Sequence, residues 1–337
     1  MQSTTVIGTH SGVFHADDAM GCMMLREFTQ KYRNGKVVRT RDPKVWETVH
    51  ILLDVGGVYD PAVERYDHHQ KGFNETFNEK SDIKLSAAGL IYKHYGKEII
   101  KNAIDYLIEQ KVIPENLKSR VTDEEVENLH KECYKGLMVT LDAIDNGIDR
   151  YPKDVKPKYE YYKTDLANRV GRLNPSWWDD SNPEKFDQHF NKAMELCKEE
   201  FLEKVKVEVM AGIASYSIVE EAFKQNSKFD GKVIVLSKAC FWKESVFKVE
   251  EALGIVNQTR FVLYPDSNGE GYRAQAVPLN LSTFENRGGL KEEWRGLDMK
   301  ALQEKSGIED AVFCHHSGFI GGAKSLESTL KMTELSL

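Results

Sequence analysis

Along the chain, short continuous runs of hydrophobic residues alternate with stretches at helical spacing. Thr5-Val6-Ile7-Gly8 predicts a strand, and Asp17 to Tyr32 predicts a helix with Met20, Met23, Met24 and Phe28 on one face. Lys36-Val37-Val38-Arg39 and Ile51-Leu52-Leu53-Asp54 predict two more strands. Ser86 is placed to cap a helix carrying Ala88, Ile91, Tyr92 and Tyr95, and helical spacing returns from Glu98 to Gln110. Thr122 with Glu125 forms a capping box that opens a helix running towards Asn146. Short apolar strands separated by helices point to an α/β fold, a parallel sheet with helices on both faces.

The segment from Tyr151 to Trp178 is broken by Pro152, Pro157 and Pro175. Asn182-Pro183 then starts a long helix through Phe186, Phe190, Met194, Cys197, Phe201 and Val205, which continues past Gly212, a bend point, to about Phe223. After it the texture changes. Val233–Leu236, Arg260–Tyr264 and Tyr272–Val277 read as strands, the last two joined by a glycine-rich hairpin. Ala311–Cys314 reads as a final strand, followed by a glycine loop and a helix from Lys324. The change of texture places a domain boundary within the long helix, near residue 200. Two domains, 1–200 and a smaller α/β domain over 201–337, suit a chain of 337 residues at about 150 residues per domain.

Composition narrows the function. Lys and Arg number 46 against 53 Asp and Glu, a formal charge of -7, which excludes a generally basic nucleic-acid coat but not a local basic groove. The longest apolar runs, such as 136–141, fall far short of the roughly 18 residues of a membrane span, so no membrane partner is expected. Five widely spaced cysteines without a CxxC pair argue against a disulfide framework or zinc ribbon. With no signal or transit pattern at the N-terminus, the expected location is the cytoplasm by default, the nucleus and mitochondrion being left open.

Six of the ten histidines fall in three pairs: His10/His15, His68/His69 and His315/His316. The first pair stands with Asp17 and Asp18 where strand one meets the first helix, the end of an open parallel sheet that holds ligands. Asp-Asp alone would only complement a helix dipole. Two histidines within eight residues shift the reading to a metal, because imidazole and carboxylate together suit Mn, Fe or Zn. Asp54 ends a buried apolar run, where a carboxylate is costly unless paired or coordinated. Asp67-His68-His69 sets three proton handlers or ligands in a row, and Asp142 and Asp145 share one helical face. Together these fit two metal ions with a bridging carboxylate, able to clamp the attacking and leaving oxygens of a displacement at phosphorus. No GxSxG or Walker A loop competes with that chemistry.

These residues carry a resemblance. Asp67-His68-His69 resembles the signature of the DHH phosphoesterase superfamily. Within it the chain is most similar to the melanocyte-proliferating-gene-type exonucleases, through Gly8–Ala19, Asp54–Gly57, Tyr66–Gln70, Leu85–Tyr92, Asp142–Gly147, Arg172–Trp177, Trp294–Leu297 and His316–Gly322. The resemblance implies a DHH-phosphoesterase-like catalytic, metal-binding domain followed by a substrate-binding domain. It implies Asp54 as bridging ligand, His68 as ligand and His69 as donor to the scissile phosphate, with Asp67 beside them. His10 or His15, Asp17 or Asp18, and Asp142 or Asp145 complete the set, since the first motif here reads His15-Ala16-Asp17-Asp18 rather than His-x3-Asp-x-Asp. In the second domain Gly318, Gly321 and Gly322 match a glycine-rich substrate loop, with Ala323-Lys324 where a histidine is common.

A strand, glycines and a helix start would place backbone N–H groups at an anion, with His315, His316 and Lys324 adding donors. Arg169, Arg172 and Asn174, ahead of Trp177 and Trp178, offer phosphate grip and base stacking. The expectation is a phosphodiesterase using two divalent ions, Mn2+ ahead of Mg2+, to activate hydroxide. Its expected substrate is single-stranded RNA or a short oligonucleotide, cut 3′ to 5′; oligomerisation is left open. The alternatives are a small-molecule phosphohydrolase acting on dinucleotides, bisphosphorylated nucleosides or pyrophosphate, and a non-catalytic RNA-binding protein with a relic metal site.

Overall fold

The computed structural model describes residues 5–152, 154–156, 158–159, 162–179 and 182–337; Pro157, read as a breaker, and the chain before Thr5 lie outside these residues. Two compact units are present, Met1–Glu208 and Val209–Leu337.

In the first unit, β1 (Val6–Thr9), β2 (Lys36–Arg39), β3 (Ile51–Leu53), β4 (Tyr59–Asp60) and β5 (Arg65–Tyr66) form one sheet in the order β2-β1-β3-β5-β4. Its pairs are parallel except β4 with β5. The helices are α1 (Ala16–Phe28), α2 (Pro43–Trp46), α3 (Ala87–Glu109), α4 (Asp123–Cys133), α5 (Val139–Asp145), α6 (Leu166–Gly171) and α7 (Pro183–Val209). On one face α1 lies so close to β3 that a Cβ on Gly21 would stand 2.5 Å from Leu53 Cδ1, which only glycine avoids without a shift. Phe28 and Tyr92 both meet Phe201, with ring centroids 5.9 and 6.4 Å away, and so join α1, α3 and α7 into one layer. The other face departs from expectation. Val49, Leu52 and Val55 pack there with Val6 and Trp46, so a four-residue helix and loops cover it in place of long helices.

Local signals act as the sequence suggests. Ser86 Oγ accepts from Gly89 N–H at the start of α3, Thr122 Oγ1 from Glu125 N–H at α4, and Asn182 Oδ1 from Lys185 N–H at α7. The stretches starting at Ser86 and Glu98 are one helix. A π-helical turn, Tyr134–Met138, carries α4 into α5.

The second unit contains α8 (Ser215–Gln225), β6 (Ser227–Lys228), β7 (Val233–Val235), α9 (Trp242–Leu253), β8 (Phe261–Pro265), β9 (Tyr272–Ala276), α10 (Met299–Ser306), β10 (Ala311–Cys314), β11 (Ile320–Ala323) and α11 (Leu326–Glu334). A π-helical turn around Gly212, Met210–Ala214, precedes α8. The sheet runs β10-β11-β9-β8-β7-β6 and is antiparallel except for β7 with β8. The expected glycine loop is here a strand. Gly321 and Gly322 lie in β11, between β10 and β9, where a Cβ would stand 2.5 Å from Leu290 Cδ1 or 2.4 Å from the Tyr272 carbonyl oxygen. Close packing alone requires glycine at both positions.

Asp142 on α5 closes the start of α3. Its Oδ1 accepts from the N–H and hydroxyl of Ser86, at 2.9 and 2.7 Å, and its Oδ2 from the Tyr134 hydroxyl at 3.0 Å. A Cβ on Gly89 would sit 2.2 Å from Asp142 Oδ1. Gly89→Ala should therefore lower stability by about 1–3 kcal/mol, the usual cost of overpacking, despite the roughly 1 kcal/mol that alanine gains over glycine in a helix. Chemical denaturation of the two proteins checks this; an unchanged midpoint would contradict the lock.

Candidate metal centre

Because β1, β3 and β5 are adjacent and parallel, their C-terminal ends deliver three segments to one place. β1 leads into His10, β3 into Asp54, and β5 into Asp67, His68 and His69. The first turn of α1 adds Asp17 and Asp18, favourable at a helix N-terminus, and the end of α5 adds Asp145. The turn after β3 is unusual. Asp54 holds a left-handed φ of 59°, a conformation non-glycine residues rarely adopt, and Gly56 and Gly57 follow at 104° and 69°. That strained corner turns the Asp54 carboxylate into the cluster.

Asp54 is the hub. His10 Nε2 lies 3.2 Å from Asp54 Oδ2 and 3.1 Å from Asp18 Oδ2. His68 Nε2 lies 3.3 Å from Asp54 Oδ1 and 3.1 Å from Asp145 Oδ2. Asp54 thus turns one oxygen to each histidine. Asp18 Oδ2, Asp54 Oδ1 and His68 Nε2 make these approaches without a hydrogen-bond partner, and neither oxygen of the buried Asp17 has one. An orphaned buried carboxylate is expensive unless a cation is held against it. Donors sharing one ion at about 2.0–2.2 Å stand roughly 2.8–3.6 Å apart, and the observed separations fall in that range. Donor atoms of His10, His15 and Asp54, of Asp54, His68 and His69, of His15, Asp17 and Asp145, and of Asp17, Asp18 and Asp54 each gather within 4.8 Å. This oxygen and imidazole set fits divalent metal ions.

Without a cation the charges settle among themselves. Burial would lower the pKa of His10, but the close carboxylates of Asp18 and Asp54 hold it up at about 10. Burial opposes His68 likewise, and Asp145 and Asp54 raise it to about 10. Asp54 falls to about 2, because the two histidines outweigh its burial. Asp17 has no such partner; burial and then the charges of Asp54, Asp145 and Asp18 push it well up.

Asp67 belongs to a different task. Its Oδ1 accepts from His68 N–H, His69 N–H and the His69 Nδ1, the last at 2.8 Å, while Oδ2 accepts from Gly57 N–H. Burial would raise its pKa, yet the His69 and Gly57 hydrogen bonds hold it below the ordinary value. Asp67 therefore orients His69, leaving Nε2 on the exposed edge of a ring that lines a cavity of about 290 Å³. Arg41, absent from the sequence expectations, lines the same cavity and is its one guanidinium among the described residues. Its Nε donates to the Ser11 carbonyl at 3.1 Å, and Nη2 lies 3.3 Å from His10 Nδ1.

Arg41 is one of three latches on the loop between His10 and His15. Arg39 donates to the Gly12 carbonyl at 2.6 Å with its guanidinium over Phe14 and Phe190, and the Asn174 amide pairs with both Phe14 N–H and carbonyl at 2.9 Å. His15 itself is exposed.

Other expected residues lie elsewhere. Asp142, expected with Asp145, spends both oxygens on Ser86 and Tyr134, and burial lifts its pKa to about 6, so α5 offers the cluster Asp145 alone. Arg169 pairs with Glu200, and Arg172 donates to the Lys163 carbonyl with its guanidinium over Tyr162. In the second unit, His315, His316 and Gly318 form the turn between β10 and β11, where His315 Nδ1 meets Ser317 Oγ at 2.9 Å. Lys324 is exposed after β11, and α11 is capped by Ser325 rather than opening on glycines.

Comparison with known proteins gives the following. The family model MYG1_exonuc, described as an uncharacterised protein family (UPF0160), matches residues 6–337. A Dictyostelium discoideum protein named MYG1 protein is 40% identical, the match covering 98% of this chain and 95% of that one. A Homo sapiens protein named MYG1 exonuclease is 38% identical, covering 98% of this chain and 85% of its own length. Among solved structures, RecJ in complex with Mn2+ from Thermus thermophilus is 12% identical and covers 99% of this chain. This chain spans 52% of that RecJ chain, and a TM-score of 0.26 carries no argument about fold or metal.

The protonated histidines make metal binding a proton exchange. At pH 7 His10 and His68, with pKa values near 10, both carry protons that a cation must displace. Mn2+ binding should therefore release protons, and affinity should rise with pH, about tenfold per unit for each proton displaced. Calorimetry in buffers of different ionisation enthalpy measures this. Asp54→Ala should lose the binding and keep the fold, whereas Asp142→Asn should keep the binding; the reverse pattern would refute the placement of both.

Proposed function

Because the chain belongs to the MYG1 exonuclease family, we propose that it is a divalent-metal-dependent exonuclease that removes nucleotides from the 3′ end of single-stranded RNA. The observation that carries this reading is the buried Asp17 carboxylate, with no partner for either oxygen, beside Asp54 and Asp18. In the proposed assignment Asp54 would hold divalent metal together with His10, Asp17 and Asp18 on one side and His68 and Asp145 on the other. Mn2+ or Mg2+ bound there supplies the Lewis acidity that lowers the pKa of water and offsets phosphate charge.

The chain's own residues do the rest. His69, aligned by Asp67, presents Nε2 as a donor to a phosphate oxygen that gains charge during displacement. Arg41 receives the phosphate at the cavity mouth, where its planar guanidinium supports paired hydrogen bonds. Gly56 and Gly57 line part of the cavity with backbone alone. At about 290 Å³ the cavity is at the small end of ligand pockets, which suits one nucleotide at a time. The same size, with a formal charge of -7, favours the small-molecule phosphohydrolase as the second reading. In the proposed setting, all five cysteines being free, the enzyme works in a reducing compartment such as the cytoplasm.

The test is degradation of single-stranded RNA labelled at the 5′ end, and of its DNA counterpart, with Mn2+ and with EDTA. A ladder shortening from the 3′ end, lost with EDTA and in Asp54→Ala, is expected. Release of phosphate from dinucleotides or pyrophosphate without a ladder would transfer the function to the second reading. His69→Ala should lower kcat about 10²–10³-fold, the loss typical of one transition-state donor. Arg41→Ala should act mainly on KM, raising it roughly tenfold, and Arg41→Lys should recover only part of that. A kcat loss in Arg41→Ala as large as that of His69→Ala would contradict the division of roles.

A further inference from the structure

Trp177 and Trp178 are 91% and 71% exposed, although Trp242 and Trp294 are buried. They are the two central residues of a turn closed from both ends. Asp179 N–H donates to the Ser176 carbonyl at 2.9 Å, and Ser176 N–H donates to Asp179 Oδ2 at 2.8 Å. Such a turn forms readily with Gly, Asn or Ser at its centre and needs no aromatic ring. An exposed indole also forgoes the burial through which tryptophan stabilises a fold. Two in succession make an apolar surface that folding does not explain.

The chain just before the turn fixes where this surface lies. Asn174 pairs through its amide with the backbone of Phe14, the residue directly before His15 on the cavity wall. Three residues extend at most about 10–11 Å, so Trp177 stands within that reach of Asn174, the residue clasped to the histidine loop of the same unit. Their rings meet edge to face, centroids 5.6 Å apart and planes at 81°. The result is a notch with one flat wall and one edge wall.

We infer that Trp177 and Trp178 form a stacking site for an unpaired nucleobase of the strand whose phosphate sits at Arg41 and His69, an inference that rests on the nuclease reading above. A flat base lies on one indole while the edge of the other closes its side. Every base has a π-face, so the site tolerates any sequence. It rejects a base already stacked within a duplex, whose faces are both taken. The notch thus selects single strands by geometry, without reading hydrogen-bond donors or acceptors.

The experiment measures affinity for a phosphorothioate-linked octauridylate, which resists cleavage, and for versions with one abasic position moved along the strand, in Mn2+. Wild-type protein should show one abasic position that weakens binding about tenfold, the scale of one lost base stack. In Trp177→Ala/Trp178→Ala that position should cost nothing further, and Trp177→Phe should keep most of the penalty. Full affinity of the double variant for the intact strand, with wild-type cleavage of ordinary RNA preserved, would overturn the stacking site and leave the nuclease reading standing. Wild-type protein that neither binds nor cuts any strand would overturn both. Loss of binding to phosphatidylserine vesicles, but not to the strand, would give the indoles to a membrane surface and overturn the inference as well.

Discussion

Carboxylates crowded at the ends of parallel strands repel one another, and the first unit is arranged around that repulsion. Asp17, Asp18 and Asp54 bring oxygens within 4.8 Å of one another in a buried place. Two unit charges 4 Å apart interact by about 4 kcal/mol at an effective dielectric constant of 20, a large share of the 5–15 kcal/mol by which domains are stable. Every neighbouring feature works against that cost. The positive end of α1 faces Asp17 and Asp18, protonated His10 and His68 stand between the acids, and burial with its acidic neighbours pushes the pKa of Asp17 well up, which disfavours its charge. A cation placed among these carboxylates would relieve that repulsion directly.

The same crowding explains why two carboxylates of similar sequence character have opposite jobs. Asp142 and Asp145 are three apart on α5, so a helical wheel puts them together. Which one joins the cluster is decided by Ser86, more than fifty residues upstream, whose N–H and hydroxyl claim Asp142. No local pattern contains that information. Asp67 is likewise drawn away from the cluster by the N–H of Gly57 and by His69.

What was legible and what was not follows from the range of the forces involved. The caps at Ser86, Thr122 and Asn182 and the apolar strands β1, β3 and β7 depend on adjacent residues and were readable. β4 and β5, two residues each, are too short for periodicity, and β11 was hidden because Gly321 and Gly322 look like a loop. The cluster residues His10, Asp17, Asp54 and His68 stood out by type and spacing. Arg41, in a polar run before Pro43, showed nothing until its hold on Ser11 and His10 was visible. Trp177 was named as a stacking residue, but the exposure that sets it apart from a core anchor is a property of the fold.

The clasp between Asn174 and Phe14 closes a loop of 160 residues. On a ribosome adding about 5–20 residues per second, Phe14 waits roughly 8–32 s before its partner exists. During that interval the histidine loop lacks the third of its latches, however early β1 and α1 emerge. The finished clasp on that loop is therefore timed by chain length.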